Sequence, residues 1–164
     1  MEIIDIVDKL SRGRVPYKKR EVGEIKKLIL HHSATTTGTP EGFAKYHVET
    51  NGWAGIGYHF VIQKDGVVYL TNYDTTISYH CKGYNQISLG ICLVGDFDKQ
   101  QPTEAQHTSL KELLVYLLQK YNLTTSDIIG HRETPAAHKT CPGICVNLNQ
   151  IRAEAVGWSS IKNI

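Results

Sequence analysis

The sequence predicts an α/β domain with a central mixed β-sheet flanked by helices. Apolar runs typical of buried strands alternate along the chain with segments whose apolar residues recur at helical spacing. Two β-rich runs surround Asp65-Gly66, a dipeptide typical of a hairpin turn, so at least one pair of strands is antiparallel. The 164 residues fit one domain. A domain of this size buries roughly 70% of the surface that its unfolded chain exposes, which is enough for a core without disulfides.

The first half of the chain yields three elements. A short amphipathic helix is predicted at the N-terminus from apolar residues at helical spacing, which are Ile3, Ile4, Ile6, Val7 and Leu10. We expect residues 1–25 to form this helix and a connecting segment. The apolar run at 28–30 has no polar alternation, so it predicts a central strand that ends at His31 and His32. Thr39 before Pro40 supplies the N-cap and first-turn chemistry of a helix between residues 40 and 51.

The second half completes the sheet and its cover. After the hairpin, "ISLGICLVGDF" predicts another buried strand. Thr103 and Gln106 form a capping box before a long apolar stripe, which makes this the clearest helix of the chain. "SDIIGHRE" predicts a last short strand, and "VNLNQIRAEAV" predicts a C-terminal helix. We expect residues 26–164 to form one compact unit.

Composition and charge exclude little but suggest a soluble product. The net charge of +2 and 21% charged residues favour neither nucleic acid nor membrane as a partner. Acids at positions 2, 5 and 8 do not fit a secretory signal, and no stretch reaches membrane-spanning length. We therefore expect synthesis in the cytoplasm without a signal peptide. Five cations between residues 12 and 20 are interpreted as a solvated surface.

Two apolar strands end in histidines, at "LILHH" and "IIGH". Ligand sites of open α/β sheets lie beyond strand ends, so His31 or His32 should lie near His131. Neighbouring residues on a strand point to opposite faces, so at most one of the adjacent pair serves this site. Cys141 follows ten residues after His131. Two neutral imidazoles and one thiolate form a catalytic zinc set whose fourth tetrahedral position is open to water.

Two other interpretations of the cysteines are open at this point. His138, Cys141 and Cys145 lie within eight residues and would make a structural zinc site, although no fourth ligand is obvious. A Cys141–Cys145 disulfide is a further alternative, disfavoured by a spacing that is not C-x-x-C and by the expected cytoplasmic origin.

Four stretches carry a resemblance to a known family: "LILHHSATTT", "NGWAGIGYHFVIQKDGVVY", "HCKGYNQISLGICLVGDF" and "GHRETPAAHKTCPG". Together they resemble the zinc-dependent N-acetylmuramoyl-L-alanine amidases of tailed phages and bacteria, and the related peptidoglycan recognition proteins of animals. The resemblance covers about residues 26 to 143, and the motifs occur in the same order and at similar spacings.

The resemblance implies a role for individual residues. It selects His31, rather than His32, as a zinc ligand together with His131 and Cys141, and it implies catalytic roles for Tyr58 and Lys139. Some relatives have a shorter spacing between the last two ligands, so the loop that carries Lys139 is expected to differ in shape. The substrate groove is expected to include His80, Trp53 and Asn85.

The implied activity is zinc-dependent hydrolysis of the amide bond between N-acetylmuramic acid and L-alanine in peptidoglycan, by an endolysin or autolysin that acts on the cell wall. The implied partners are the glycan strand and stem peptide of peptidoglycan, with no nucleic acid or membrane, and the chain is expected to be a monomer. Two alternatives are a peptidoglycan-binding module without hydrolysis and a regulatory protein with a structural zinc.

Overall fold

A computed structural model describes residues 1–135 and 139–161 of the chain. Its six strands are β1 (Ile3–Asp5), β2 (Lys27–His32), β3 (Phe60–Ile62), β4 (Val68–Leu70), β5 (Ser88–Leu93) and β6 (Ile128–Gly130). Its three α-helices are α1 (Pro40–Glu49), α2 (Glu104–Lys120) and α3 (Leu148–Ile161). None of the helices in the described ranges is long and apolar enough to span a bilayer.

The strands form one mixed sheet in the order β1-β4-β3-β5-β2-β6. β3, β5, β2 and β6 run parallel, whereas β4 is antiparallel to β3 and pairs in parallel with β1. This topology confirms the predicted α/β class with a mixed sheet. In the register, His31 lies beside Cys92, and Leu30 lies beside Gly130, so β2 and β6 end next to each other at one edge. The two histidine-bearing strand ends therefore meet, as predicted.

The N-terminal helix predicted within residues 1–25 is wrong. Residues Ile3–Asp5 form β1 at the edge of the sheet, and a single 3-10 turn follows at Val7–Lys9. The segment is rich in β-branched residues, which favour extended backbone. It also pairs with β4, whose backbone groups on that side would face solvent without β1. Tertiary pairing therefore decides the conformation, and residues 1–25 contribute to the same sheet as the rest of the chain.

The other predicted elements are confirmed, together with the local chemistry that specifies them. The Thr39 hydroxyl accepts a hydrogen bond from the Gly42 amide at 3.1 Å and caps α1. Thr103 and Gln106 form the reciprocal capping box at the start of α2, with both bonds at 3.1 Å. In the hairpin turn, Gly66 has φ +86°, a left-handed conformation that glycine adopts without strain.

The two faces of the sheet are covered differently. The face covered by α2 and α3, here called the α2/α3 face, packs into a cluster that contains 21 buried apolar residues among those described, including Leu28, Leu30 and Phe97. The opposite face, here called the α1 face, has a smaller apolar cluster, with seven buried residues among those described, including Ala44 and Cys92. The interior of the α1 face also contains buried polar side chains, among them His31, His59 and His80.

The cationic run at residues 12–20 is not simply a solvated surface, because Arg20 is only 5% exposed. Its guanidinium donates hydrogen bonds of 2.8–3.0 Å to four backbone carbonyls, those of Asp74, Asn85, Gln86 and Ser88. These carbonyls replace the water that a buried cation loses. Arg20 thereby ties the N-terminal segment to the start of β5.

Candidate metal centre and active site

The adjacent histidines at the end of β2 lie on opposite faces of the sheet, as the strand alternation predicts. His32 lies on the α2/α3 face, where its Nδ1 accepts a hydrogen bond from the Phe97 amide at 3.1 Å and its ring packs against the Phe97 ring. His31 lies on the α1 face, with its ring centroid 4.7 Å from that of His131. Only His31 therefore faces the second histidine-bearing strand.

His31, His131 and Cys141 converge into one group. One ligand atom from each side chain lies within 4.8 Å of the others. His31 Nδ1 is 3.6 Å from Cys141 Sγ. A tetrahedral zinc with Zn–N of about 2.0–2.1 Å and Zn–S of about 2.3 Å holds a nitrogen and a sulfur ligand roughly 3.6 Å apart. The donor atoms and their spacing therefore fit zinc.

Arg132, the neighbour of His131, fixes the loop that carries Cys141. Its amide donates to the Cys141 carbonyl at 2.7 Å. Its guanidinium donates to the carbonyls of Gly143 and Val146 at 2.6 and 2.8 Å. The "GHRE" motif therefore contains one candidate ligand and fixes the segment that contains another.

The loop has a second anchor and a close contact with β6. Asp98 accepts hydrogen bonds from the Thr140 hydroxyl and the Ile144 amide at 2.7 and 2.9 Å. A Cβ atom on Gly130 would lie 2.6 Å from the end of the Leu148 side chain and 3.0 Å from Pro142, so a side chain here would require these neighbours to shift. The tight approach of the loop to the end of β6 brings Cys141 to the histidines.

Burial keeps both candidate histidine ligands neutral. Desolvation, and secondarily the charges of His131 and His32, hold the pKa of His31 well below its ordinary value. Burial also lowers the pKa of His131. Desolvation raises the pKa of the Cys141 thiol to about 11. A bound divalent cation reverses that last effect, because a coordinating thiol is deprotonated outright.

Tyr58 lies beside the ligand group and begins a row of aromatic rings. Its ring centroid is 5.4 Å from that of His31. The row continues from Tyr58 to His47 at 5.7 Å, from His47 to Trp53 at 4.8 Å, and from Trp53 to Tyr79 at 5.9 Å. Desolvation, followed by the neighbouring Cys92 and Cys141 thiols, raises the pKa of Tyr58 well above its ordinary value. The Tyr58 hydroxyl therefore keeps its proton.

Lys139 is exposed and lies two residues before Cys141 on the same loop. Its assigned catalytic role stays a prediction. His138, a ligand of the alternative structural zinc site, lies outside the described residues. Cys141 and Cys145 are free thiols in the structure, so the alternative disulfide between them is wrong.

The residues assigned to the substrate groove have different surroundings. Trp53 is half-buried in the aromatic row. His80 is 7% exposed and lies behind His31, with Nδ1 of His80 3.0 Å from Nε2 of His31. Asn85 is half-buried, and its Oδ1 accepts hydrogen bonds from the amides of His80 and Cys81 at 3.0 and 2.8 Å. Asn85 thus shapes the loop that holds His80, and contact of these residues with substrate stays a prediction.

Two residues of β5 that the sequence interpretation did not single out also border the site. The Ser88 hydroxyl is 3.1 Å from Nε2 of His80. A Cβ atom on Gly90 would lie 2.6 Å from the His80 ring, so the missing side chain makes room for that imidazole. Glycine inside an otherwise apolar strand is a recognisable signal of such a close approach.

Comparison with known proteins agrees with this geometry. The family model described as N-acetylmuramoyl-L-alanine amidase matches residues 21–144. An endolysin of Escherichia phage T7 is 38% identical over 138 residues, which cover 79% of this chain and 87% of that protein. Peptidoglycan-recognition protein SC2 of Drosophila melanogaster is 34% identical over 143 residues, which cover 82% of this chain and 74% of that protein.

The fold is also shared with a solved amidase. The N-acetylmuramoyl-L-alanine amidase LysC from Clostridium intestinale superposes with a TM-score of 0.82 at 30% identity, covering 94% of this chain and 97% of that chain. The family model spans the strands that carry His31 and His131, and the sequence relatives and the solved structure each match most of the chain. The chain therefore belongs to the N-acetylmuramoyl-L-alanine amidase family.

Proposed function

We propose that this amidase cleaves the bond between the lactyl group of N-acetylmuramic acid and the L-alanine of the stem peptide, using zinc held by His31, His131 and Cys141. Family membership makes the chain a peptidoglycan amidase. The observation that carries the zinc proposal is the convergence of three ligand atoms within 4.8 Å of one another. Among the described residues this is the only such group.

The donor set matches a catalytic rather than a structural centre. Two neutral imidazoles and one thiolate supply three protein ligands, which is the number that leaves one tetrahedral position for water or substrate. When bound, zinc supplies Lewis acidity that lowers the pKa of water from 15.7 to about 7 and polarises a carbonyl group. The protein then needs no nucleophilic side chain of its own.

The chain's own residues orient the reaction and balance its charge. The Tyr58 hydroxyl keeps its proton on Oη and can donate a hydrogen bond to the oxygen on which negative charge develops. Lys139 supplies a cation on the exposed loop, two residues before Cys141, and a cation near the metal centre favours the negative charge that develops in the transition state. We assign these two residues to stabilisation of the transition state and not to metal binding.

The proposed setting is lysis of the bacterial cell wall. Relatives at 34–38% identity are endolysins of phages, and their matched regions cover 87% of their length. We propose that the chain acts in the same way, as a monomer on the glycan strand and stem peptide. Light scattering of the purified protein tests the monomer.

Digestion of purified peptidoglycan tests the proposed function. Mass analysis should show stem peptides with a free L-alanine amino group and glycan strands that keep their lactyl groups. Chelation should abolish the release, and added zinc should restore it. Binding without release, cleavage of a glycosidic bond, or full activity after thorough chelation would each contradict the proposal.

A further inference from the structure

We propose that His80, Ser88 and the carbonyl of Tyr84 form a directional hydrogen-bonded chain that fixes the proton of His31 on Nε2 and leaves Nδ1 free as the ligand atom. In this proposal His80 is a positioning residue that acts through His31. The inference deepens the proposed function, because it rests on His31 being a metal ligand.

The chain has three links, all within hydrogen-bonding distance. His31 Nε2 is 3.0 Å from His80 Nδ1. His80 Nε2 is 3.1 Å from the Ser88 hydroxyl, and this hydroxyl donates to the Tyr84 carbonyl at 2.6 Å. The three side chains are buried, with His31 2%, His80 7% and Ser88 0% exposed. Water is therefore not a competing partner for these groups.

The carbonyl at the end determines the direction of every link. A carbonyl oxygen only accepts hydrogen bonds, so the single proton of the Ser88 hydroxyl is used in the bond to Tyr84. The Ser88 oxygen must then accept a proton from His80 Nε2. His80 is buried, which disfavours the charged ring, and a neutral imidazole carries one proton, so with Nε2 donating its Nδ1 is an acceptor. His31 must therefore donate from Nε2.

A proton on Nε2 of His31 agrees with the position of the other ring nitrogen, Nδ1, beside Cys141. With the proton on Nε2, the lone pair of His31 lies on Nδ1, the atom that is 3.6 Å from Cys141 Sγ. Metal-binding histidines generally donate their second ring proton to an acceptor, which sets the tautomer and orients the ring. In this chain the acceptor is another imidazole, whose own orientation is set by Ser88.

The backbone around His80 is built to hold the ring in this position. Gly90 leaves room for it, since a Cβ atom there would approach three atoms of the His80 ring to 2.6–3.0 Å. Asn85 accepts the amide protons of His80 and Cys81 and so fixes the loop from which the ring projects. Both ring nitrogens of His80 are engaged within the protein, which favours positioning over direct contact with substrate.

Zinc affinity and the tautomer of His31 test the proposal, and neither measurement depends on activity. His80→Phe removes the acceptor, whereas His80→Asn places an amide oxygen close to the original Nδ1. We expect His80→Phe to lower zinc affinity about 10–100-fold in a competition titration with a chelator. His80→Asn should regain most of that affinity. Nitrogen-15 NMR of the metal-free protein should show the single proton of His31 on Nε2 in the wild type, and a mixture of the Nε2 and Nδ1 tautomers in His80→Phe.

Ser88→Ala and Ser109→Ala form a matched pair of milder variants. Each removes a serine hydroxyl that donates to a backbone carbonyl at 2.6 Å, but Ser109 bonds to Gly66 in the hairpin turn, away from the metal ligands. Ser88→Ala should lower zinc affinity, and Ser109→Ala should not. Gly90→Ala should act like Ser88→Ala, because it displaces the His80 ring without removing a polar group.

The outcomes separate this proposal from the proposed function. If His31→Ala binds zinc as tightly as the wild type, the metal assignment itself fails, and this inference fails with it. If His31→Ala loses zinc while folded His80→Phe and Ser88→Ala bind it as the wild type does, only the positioning role is overturned. Equal losses in Ser88→Ala and Ser109→Ala would also overturn it, since the effect would then be general destabilisation.

Discussion

The α2/α3 face of the sheet is an apolar cluster, whereas the α1 face carries a buried polar network next to the three candidate ligands. The same strands build both faces: in β2, Leu28, Leu30 and His32 alternate with Ile29 and His31. On the α2/α3 face even the histidine is used for packing, because His32 accepts the Phe97 amide and contacts the Phe97 ring. On the α1 face His31, His59 and His80 lie close together in the interior.

This difference shows how one sheet separates stability from function. Every apolar side chain buried on an apolar face stabilises the folded state. The helices that cover this face need only apolar side chains of about the right volume at the right spacing. A buried polar face is stable only when its groups are paired. Each described buried polar side-chain atom has a hydrogen-bond partner. The four predictions below test this separation.

Replacing the two adjacent histidines should give the largest contrast. His31→Ala should lose bound zinc and hydrolysis together, because two remaining protein ligands make a poor site. His32→Ala should keep its zinc and lose about 1–3 kcal/mol of unfolding free energy, since the Phe97 amide is left without its partner. Metal analysis and urea unfolding of both variants measure this. Equal metal loss in two folded variants would mean that the faces are not separate.

Tyr58→Phe and Lys139→Ala should keep their zinc and lose rate. Removal of one donor to a developing oxyanion typically costs about 10²–10³ in kcat. The measurement is kcat on purified peptidoglycan together with metal content, and Tyr116→Phe, on the exposed surface of α2, is the control. A variant that loses its metal instead would have been assigned the wrong role.

Leu114→Ala should lower the stability of the fold and leave the metal site unchanged. Leu114 is fully buried in the cluster of the α2/α3 face. Its truncation should lower the unfolding free energy by about 2–5 kcal/mol through lost burial and the cavity that is left. Zinc affinity of the folded protein should be unchanged. A parallel fall in zinc affinity would show that the packing of one face controls the ligands on the other.

Acid should destabilise the polar face through His59. Burial and the nearby Arg20 cation lower the pKa of His59 from 6.5 to about 3, so its folded state favours the neutral ring. Between pH 6.5 and about 3 the unfolded chain binds the extra proton, so stability is full above 6.5 and falls as the pH falls. The slope from one such group is at most about 1.4 kcal/mol per pH unit.

Urea unfolding of metal-free wild type and His59→Asn across this range measures the slope. The variant cannot take up the proton, so its unfolding free energy should vary less with pH. Identical slopes in the two proteins would show that His59 titrates normally in the folded chain.

The sequence alone predicted most of the fold, because local chemistry and hydrophobic pattern agree in those segments. Capping residues mark the starts of two helices: Thr39 caps α1, and Thr103 with Gln106 caps α2. The prediction of an N-terminal helix was wrong because there the local pattern and the tertiary pairing disagree. Five apolar residues fit a helical spacing, but the exposed edge of β4 offered backbone partners that no local pattern reveals.

Within the candidate site, the sequence determined which side-chain types are available as ligands, and the tertiary structure decided how they are held. Histidines at two strand ends and a nearby cysteine are visible in the chain, and strand alternation separates His31 from His32. His31 and His80 are 49 positions apart in the sequence, and His80 and Ser88 are 8 positions apart. Gly90, on the strand beside β2, makes room for the His80 ring. Such contacts depend on the register of β2 against β5 and on the path of a loop. They are set by packing across the whole sheet, whereas the ligand types are set by the chemistry of single side chains.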